Sequence, residues 1–270
     1  RLLATSSVEG FTKHIETDKE LTKVTVNITY NGETVRSTVA DAFVGNPVSS
    51  IALPSDFNNG LVSLDYDLDA TITANMTLNI PATFKLDIAL DKSKWYNIDI
   101  NDGAYYLNTI PTGDKAHYCP VSADALTQDD LNSAAYQWAF EGNPYEVRVY
   151  NRAYDGKTLT RYLDPNNGNK AVASMRDGEY TWKLYSSEDN TNMLFGIALE
   201  ASDSKGQFLN QEGGAKDNAV LGFWTNPNNA GCRLNCVEVE KVAETVVMAN
   251  VTYHLNYNGN EAYVFLMFDK

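Results

Sequence analysis

A strand motif that recurs three times constrains the fold of this 270-residue chain more than any other feature. Each copy has an alternating strand, a turn containing Asp, a short second strand that includes Leu, a loop, and a strand with a tryptophan. The tryptophans are spaced 44 and 42 residues apart: Trp138, Trp182 and Trp224. One copy cannot bury its own apolar face, whereas three copies can share a core. The motif therefore predicts a pseudo-threefold barrel with the three tryptophans at equivalent core positions.

The three tryptophan strands contain Tyr136-Gln137-Trp138, Tyr180-Thr181-Trp182 and Gly222-Phe223-Trp224. They resemble the Gln-x-Trp strands of the ricin-type β-trefoil family. The resemblance covers about residues 93–240 and implies a β-trefoil. The segment WAFEGNPYEVRVYN, residues 138–151, also resembles trefoil modules of large secreted surface proteins of Bacteroidetes-type bacteria. In those proteins, trefoils alternate with small β-sandwich repeats.

The rest of the chain also has the pattern of β-strands. Apolar and polar residues alternate in runs such as LVSLDYDL and YEVRVYN, which Gly, Asn, Asp and Pro interrupt. One short helix is predicted near residues 122–136, with Ser122 or Thr127 as its N-cap. The predicted fold class is all-β, with a small Ig-like β-sandwich of six or seven strands followed by a β-trefoil.

A second, longer repeat indicates the order of the domains. VTVNITYNG at residues 24–32 returns as VTYHLNYNG at residues 251–259, an offset of 227. Each copy ends in Asn-Gly, a strong hairpin signal. We expect a leader or linker from a preceding module at 1–22, a small sandwich at 23–92 and a trefoil at 93–241. Residues 242–270 would then be a linker and the first hairpin of a further sandwich. No Gly/Ser-rich spacer separates sandwich and trefoil, which predicts a stiff joint.

The charge balance argues against one class of partner. Asp and Glu number 35 and Lys and Arg 21, a net charge of −14, which is unsuited to binding phosphate backbones. No apolar run approaches the roughly 20 residues that a membrane-spanning helix needs. We expect a secreted or cell-surface location without membrane insertion of this segment. The expected partners are a glycan or a surface protein, and other modules of the same polypeptide, but no nucleic acid.

Groups that could support catalysis are sparse. The three histidines lie in separate segments, and no Ser/His/Asp or Cys/His pattern or metal-binding spacing is recognisable. We therefore predict no enzyme activity, no cofactor and no metal site. Cys232 and Cys236 share one strand about 13 Å apart, too far for a disulfide. Cys119 pairs with one of them, or the thiols are free and buried; the sequence leaves both open.

The family resemblance places a ligand site in the first repeat. The stretch IDINDG resembles the family's VDVRDG segment, which implies that Asp99 contacts sugar. Asp102, Tyr105 and Tyr106 follow closely and complete the predicted ligand-binding set. Carboxylates accept hydrogen bonds from sugar hydroxyls, and aromatic rings stack on apolar sugar faces. The matching positions of the other repeats are read as Arg148 and Ala198, which would leave those repeats without the acid.

These features predict a non-catalytic binding or adhesion segment of a secreted or cell-surface modular protein, with carbohydrate as the ligand. The alternative from another class is a structural spacer that carries a catalytic or adhesive domain located elsewhere in the parent protein. Exposed aromatic rings beside a carboxylate would favour binding. Uniformly polar trefoil surfaces would favour the spacer.

Overall fold

A computed structural model describes eleven stretches of the chain. They are residues 2–8, 11–17, 19–58, 60–109, 116–120, 125–186, 197–203, 207–211, 221–239, 251–257 and 260–266. Strands dominate these residues, which confirms the all-β class. The chain divides into two units, Arg1–Glu238 and Val239–Lys270.

The first unit begins with a hairpin of β1 (Leu2–Val8) and β2 (Phe11–Thr17). A four-stranded sheet follows, formed by β3 (Leu21–Tyr30), β4 (Glu33–Phe43), β5 (Val62–Leu64) and β6 (Thr77–Phe84). Its order is β4-β3-β6-β5, and β3 and β6 are parallel. The turn of the β3–β4 hairpin is Asn31-Gly32, with φ of 50° and 86°, as the Asn-Gly signal predicts.

This sheet has fewer strands than the six or seven that the alternating pattern predicted. Much of the segment between β4 and β6 forms turns and two short 3-10 helices, Val48–Ser50 and Ser55–Phe57. Each begins directly after a proline, Pro47 or Pro54. Proline has no backbone N–H to donate to a strand ladder, and at these two positions the chain turns instead of continuing as a strand.

Twelve strands follow in three groups of four. The first group is β7 (Tyr96–Ile100), β8 (Tyr105–Thr109), β9 (Ala116–Pro120) and β10 (Trp138–Asn143). The second is β11 (Glu146–Asn151), β12 (Lys157–Asp164), β13 (Lys170–Asp177) and β14 (Trp182–Ser186). The third is β15 (Ile197–Ala201), β16 (Phe208–Gln211), β17 (Leu221–Trp224) and β18 (Leu234–Glu238). Helix α1 (Gln128–Asn132) precedes β10, and its N-cap is Thr127, in a capping box with Asp130.

The first and fourth strands of the groups form a closed ring. The pairs are β7–β10, β10–β11, β11–β14, β14–β15 and β15–β18, and β18 pairs back with β7. The remaining strands form three hairpins, β8–β9, β12–β13 and β16–β17. Six barrel strands with three capping hairpins define a β-trefoil.

Two of the three predicted tryptophans occupy equivalent core positions. Trp138 lies opposite Asn151, the last residue of β11, and Trp182 lies opposite Ala201, the last residue of β15. The two tryptophans therefore occupy equivalent positions. Both indoles are buried, and their N–H groups donate to the carbonyls of Leu107 (3.0 Å) and Leu159 (2.8 Å). These two placements confirm the predicted repeat.

The prediction for the third tryptophan is wrong. Leu234, opposite Ile100, occupies the third core position, whereas Trp224 lies on β17 with 54% of its surface exposed. Alternation along β17 explains the difference, because it turns Phe223 inward, where its ring stacks on Trp182 at 6.0 Å between centroids. Trp224, the next residue, therefore faces outward.

The four-stranded sheet and the trefoil are packed together within the first unit. Tyr145, in the turn between β10 and β11, is buried in the apolar core of the sheet module. Its hydroxyl donates to the Phe57 carbonyl at 2.8 Å, and the Arg36 guanidinium lies 4.8 Å from the centre of its ring. Arg36 also pairs with Glu146 at 3.2 Å. The joint is thus tightly packed, as the absence of a Gly/Ser-rich spacer predicts.

The second unit contains the predicted C-terminal hairpin. Strands β19 (Val251–Tyr257) and β20 (Asn260–Leu266) pair antiparallel, which confirms that prediction. The expected turn residues, Asn258 and Gly259, lie outside the described residues. In the described part of the chain, no helix has the length and apolar character to cross a membrane.

Candidate functional site

The four residues of the predicted first-repeat site lie together around the β7–β8 turn. Asp99 on β7 is directly opposite Tyr106 on β8, and Tyr105 is opposite Ile100. Asp102 lies in the turn, where Asn101, Asp102 and Gly103 all have left-handed φ values of 59°, 59° and 81°. Asn, Asp and Gly tolerate this conformation best, so the residue types of the turn fit its geometry.

Asp99 is buried in this arrangement. Its Oδ2 accepts a hydrogen bond of 2.9 Å from the Asn235 amide. Burial raises the pKa of the Asp99 carboxyl, and hydrogen bonds from Asn235 and the Gly103 N–H partly oppose that rise. Burial is the main reason why the pKa of the half-buried Tyr106 is raised, and the charge of Asp99 raises it further. One carboxylate oxygen is thus already engaged by the protein.

Asp102 is the more exposed acid of the pair, and it forms an ion pair with Arg233. Sequence reasoning missed Arg233 and Asn235, which lie 131 and 136 residues from their partners. The available signal was the alternating segment CRLNCVEV. In a closed barrel, the last strand pairs with the first, which would have placed this segment beside Asp99.

The strand register corrects the equivalence of the three repeats. Ile100, Asn151 and Ala201 lie opposite the equivalent residues of the ring, namely Leu234, Trp138 and Trp182. The positions that match Asp99 are therefore Tyr150 and Glu200. The assignment to Arg148 and Ala198 was wrong by two residues, and the third repeat does have an acid at this position.

The second repeat uses its equivalent position for a polar network. The Tyr150 hydroxyl donates to Glu141 Oε2 at 2.6 Å, and Arg148 donates to the same oxygen at 3.1 Å. The Lys92 ammonium lies 4.0 Å from the centre of the Tyr150 ring. The hydrogen bond from Tyr150 is the main reason why the pKa of Glu141 is lowered. The polar side chains at this position of the second repeat thus interact with one another.

A different surface emerges on the third repeat. We call it the third-repeat surface, and its members are Lys183, Tyr185, Glu200, Phe208 and Trp224. Glu200 lies opposite Lys183 on β14 and opposite Phe208 on β16, and Phe208 lies opposite Trp224 on β17. Directly opposite residues share a face of the sheet. The Tyr185 ring meets the Phe208 ring edge to face, with 5.2 Å between centroids.

The aromatic residues of this surface differ in exposure. Trp224 is 54% exposed and Tyr185 40%, whereas Phe208 between them is buried. Within the described ranges, no hydrogen bond or ion pair engages the Glu200 carboxylate or the Trp224 indole N–H. The surface therefore presents two exposed aromatic side chains, a carboxylate acceptor and an indole N–H donor, the groups with which proteins bind sugar rings.

The cysteines and acids do not form a reactive or metal-binding cluster in the described residues. Cys232 and Cys236 are free thiols. Burial raises the pKa of Cys232 to about 11, and Asn210 donates a hydrogen bond of 3.2 Å to its sulfur. Such a thiol is unreactive at neutral pH. Because Cys232 and Cys236 are both free, the predicted pairing of Cys119 with one of them is wrong, and the alternative of free thiols holds for these two. The side chain of Cys119 itself lies outside the described residues.

Comparison with known proteins yields structural similarity alone. No protein-family model matches the chain, and no curated protein matches it. The designed threefold-symmetric protein ThreeFoil is similar at 15% identity and a TM-score of 0.40, over 54% of this chain and 99% of that one. The GlcNAcα1-4Gal-releasing endo-β-galactosidase of Clostridium perfringens is similar at 14% identity and a TM-score of 0.40, over 55% of this chain. The match covers 33% of the length of that enzyme.

Proposed function

We propose that this chain is a non-catalytic binding segment of a secreted or cell-surface modular protein, and that its ligand is carbohydrate. The third-repeat surface carries the proposal. Trp224 and Tyr185 are exposed on the same side of the sheet as the Glu200 carboxylate, which has no hydrogen bond or ion pair among the described residues. Indole and phenol faces stack on the C–H face of a sugar ring while the carboxylate accepts its hydroxyl hydrogen bonds.

The first-repeat residues form a second proposed contact region. Asp102 is exposed, and Tyr105 and Tyr106 are half-buried around the same turn. Asp99 acts here through its hydrogen bond with Asn235, which fixes the end of β7 beside β18. A ligand at this turn would meet Asp102 and the tyrosines first.

Charge and modular context complete the proposal. The net charge of −14 disfavours nucleic acid and fits a solvated extracellular surface. The resemblance to modules of large secreted proteins of Bacteroidetes-type bacteria implies that other modules of the same polypeptide are partners. A single shallow site should bind in the range of about 0.1–1 mM, roughly −4 to −5.5 kcal/mol. Tandem copies would raise the apparent affinity through avidity.

The packed joint favours a second candidate function, that of a structural spacer. Tyr145 and the Arg36–Glu146 pair connect the sheet module rigidly to the trefoil. A stiff segment of this kind holds a domain at a fixed distance, as a flexible linker does not. Binding and spacing are compatible, and the experiment below decides whether binding occurs.

The test is a glycan array probed with the complete chain and three variants. Trp224→Ala removes the exposed indole, and Asp102→Ala removes the exposed acid of the first repeat. Leu163→Ala is the control, because Leu163 is an exposed apolar residue on another trefoil hairpin. We expect the wild type and the control to bind the same glycans and Trp224→Ala to lose them. Failure of the wild type to bind any glycan would reject the binding function in favour of the spacer.

A further inference from the structure

The exposed aromatic residues of the third-repeat surface lie in a row across several strands. Phe208 and Trp224 are directly opposite each other on neighbouring strands, whose backbones are about 4.8 Å apart. The Tyr185 ring is 5.2 Å from the Phe208 ring on the other side. Tyr185 lies on β14 and Trp224 on β17, and the sheet order places the backbones of these strands three spacings apart, about 14 Å.

Phe208 holds the two ends of this row apart. Its ring is buried with Ala198 and Cys232 in a small apolar cluster and forms a T-shaped contact with the Tyr185 ring. The exposed rings consequently cannot close on one sugar from two sides. One pyranose ring covers one of them and leaves the other uncovered, whereas an extended chain of several rings reaches both.

The polar groups lie beside the middle of the row. Glu200, opposite Phe208, is positioned to accept hydroxyl hydrogen bonds from a chain that crosses from Trp224 towards Tyr185. Lys183 lies opposite Glu200 on its other side, so the local charges balance. The chain as a whole has a net charge of −14, which repels polyanions. Together these charges favour a neutral glycan.

We propose that the third-repeat surface binds along a neutral, extended oligosaccharide and engages at least two pyranose rings of the same chain. Chains with β-1,4 linkages and equatorial substituents fit best, because they are extended ribbons whose C–H faces can meet both aromatic rings. This inference rests on the proposed carbohydrate function. It adds that the ligand is the interior of a glycan chain, since a terminal sugar would cover only one ring.

The test is calorimetric titration of the complete chain with cello-, manno- and chito-oligosaccharides of one to six rings. We expect the affinity for one of these series to rise at least about tenfold from one ring to three and then to level off. Trp224→Ala and Tyr185→Ala should each abolish the rise, while Tyr185→Phe should retain most of it. Leu163→Ala should match the wild type. Equal thermal unfolding midpoints of all variants would show that folding is unchanged.

The possible failures are distinguishable. Equal affinity for one ring and for longer chains, or a length dependence that survives Tyr185→Ala, would overturn the inference and leave glycan binding intact. Preferential binding of polyuronate oligomers would overturn the assignment to neutral chains. If the wild type bound neither these oligosaccharides nor any glycan of the array, the proposed function itself would be rejected.

Discussion

Tryptophan side chains show how one residue type serves two purposes in this protein. Trp138 and Trp182 are completely buried, and each indole N–H is bonded to a backbone carbonyl. Trp224 is more than half exposed. The alternation of a β-strand decides between these outcomes, because a shift of one residue moves a side chain from one face to the other.

The contrast predicts very different costs of truncation. Trp138→Ala should lower the free energy of unfolding by about 3–5 kcal/mol, since it removes a large buried ring and leaves a cavity. Trp224→Ala should change it by less than about 0.5 kcal/mol, as for most surface substitutions. Urea denaturation followed by far-UV circular dichroism measures both. Similar losses for the two variants would contradict the core assignment.

Asp99 predicts a specific pH dependence of stability. Burial raises the pKa of this carboxyl in the folded chain above its ordinary value of 3.8. The folded state therefore binds the proton more tightly, and the contribution of Asp99 to stability falls as pH rises from about 3.8 through the raised pKa. Asp99→Asn cannot ionise. Its unfolding free energy relative to wild type should increase across that window, and urea titrations at several pH values would measure the difference. A difference that does not change with pH, or that decreases, would contradict this account.

At the scale of elements, the β10–β11 hairpin depends on one glycine. Gly142 has a φ of 131°, and a Cβ at this position would lie 2.3 Å from the backbone oxygen of Glu146. Gly103, in the β7–β8 turn, has a φ of 81° but open space around its Cα. The first site therefore combines backbone strain with a collision, and the second has strain alone.

This difference gives a matched pair of variants. Gly142→Ala should destabilise the chain by about 2–5 kcal/mol, because strain and overpacking add. Gly103→Ala should cost only about 1–2 kcal/mol. Thermal unfolding of the two purified variants would measure the order. The reverse order would show that the hairpin has another geometry.

Local sequence signals predicted many elements of the fold but did not distinguish the strands of the barrel from those of its hairpins. The Asn31-Gly32 hairpin, the Thr127 cap and the first two tryptophan strands follow from turn chemistry, capping and alternation. The prediction for the third repeat failed because Leu234 occupies the barrel position of the tryptophan. Trp224, on the preceding strand, has a similar spacing in the sequence. Spacing alone cannot tell a barrel strand from a hairpin strand when their lengths are similar.

At the scale of the whole molecule, closure of the barrel determines what surrounds the first-repeat residues. Strand β18 pairs with β7 and brings Arg233 to Asp102 and Asn235 to Asp99. The family resemblance predicted Asp99, and the other three residues were predicted because they follow it closely in the chain. It could not predict their partners without the closed topology. The third-repeat surface was missed for the same reason, because three inter-strand registers assemble it.

The joint between the sheet module and the trefoil predicts shared cooperativity. All four tryptophans lie between residues 95 and 224, so their fluorescence reports on the trefoil, whereas circular dichroism reports on both modules. The two signals should change together in wild-type unfolding. Tyr145→Ala should separate them, because it removes a ring buried in the sheet module and the hydrogen bond to Phe57. Coincident transitions in this variant would show that Tyr145 does not couple the modules.

The most direct test of the central claim, that the third-repeat surface binds glycan, is acrylamide quenching of tryptophan fluorescence with and without the best-binding oligosaccharide. A Trp95→Phe background removes the other tryptophan that is partly exposed. Trp138 and Trp182 are buried, so quenching in this background reports on Trp224. We expect saturating oligosaccharide to protect this fluorescence from quenching, and a further Trp224→Phe change to remove both the quenchable signal and its protection. Quenching that stays the same when the oligosaccharide is bound would show that the glycan does not cover Trp224.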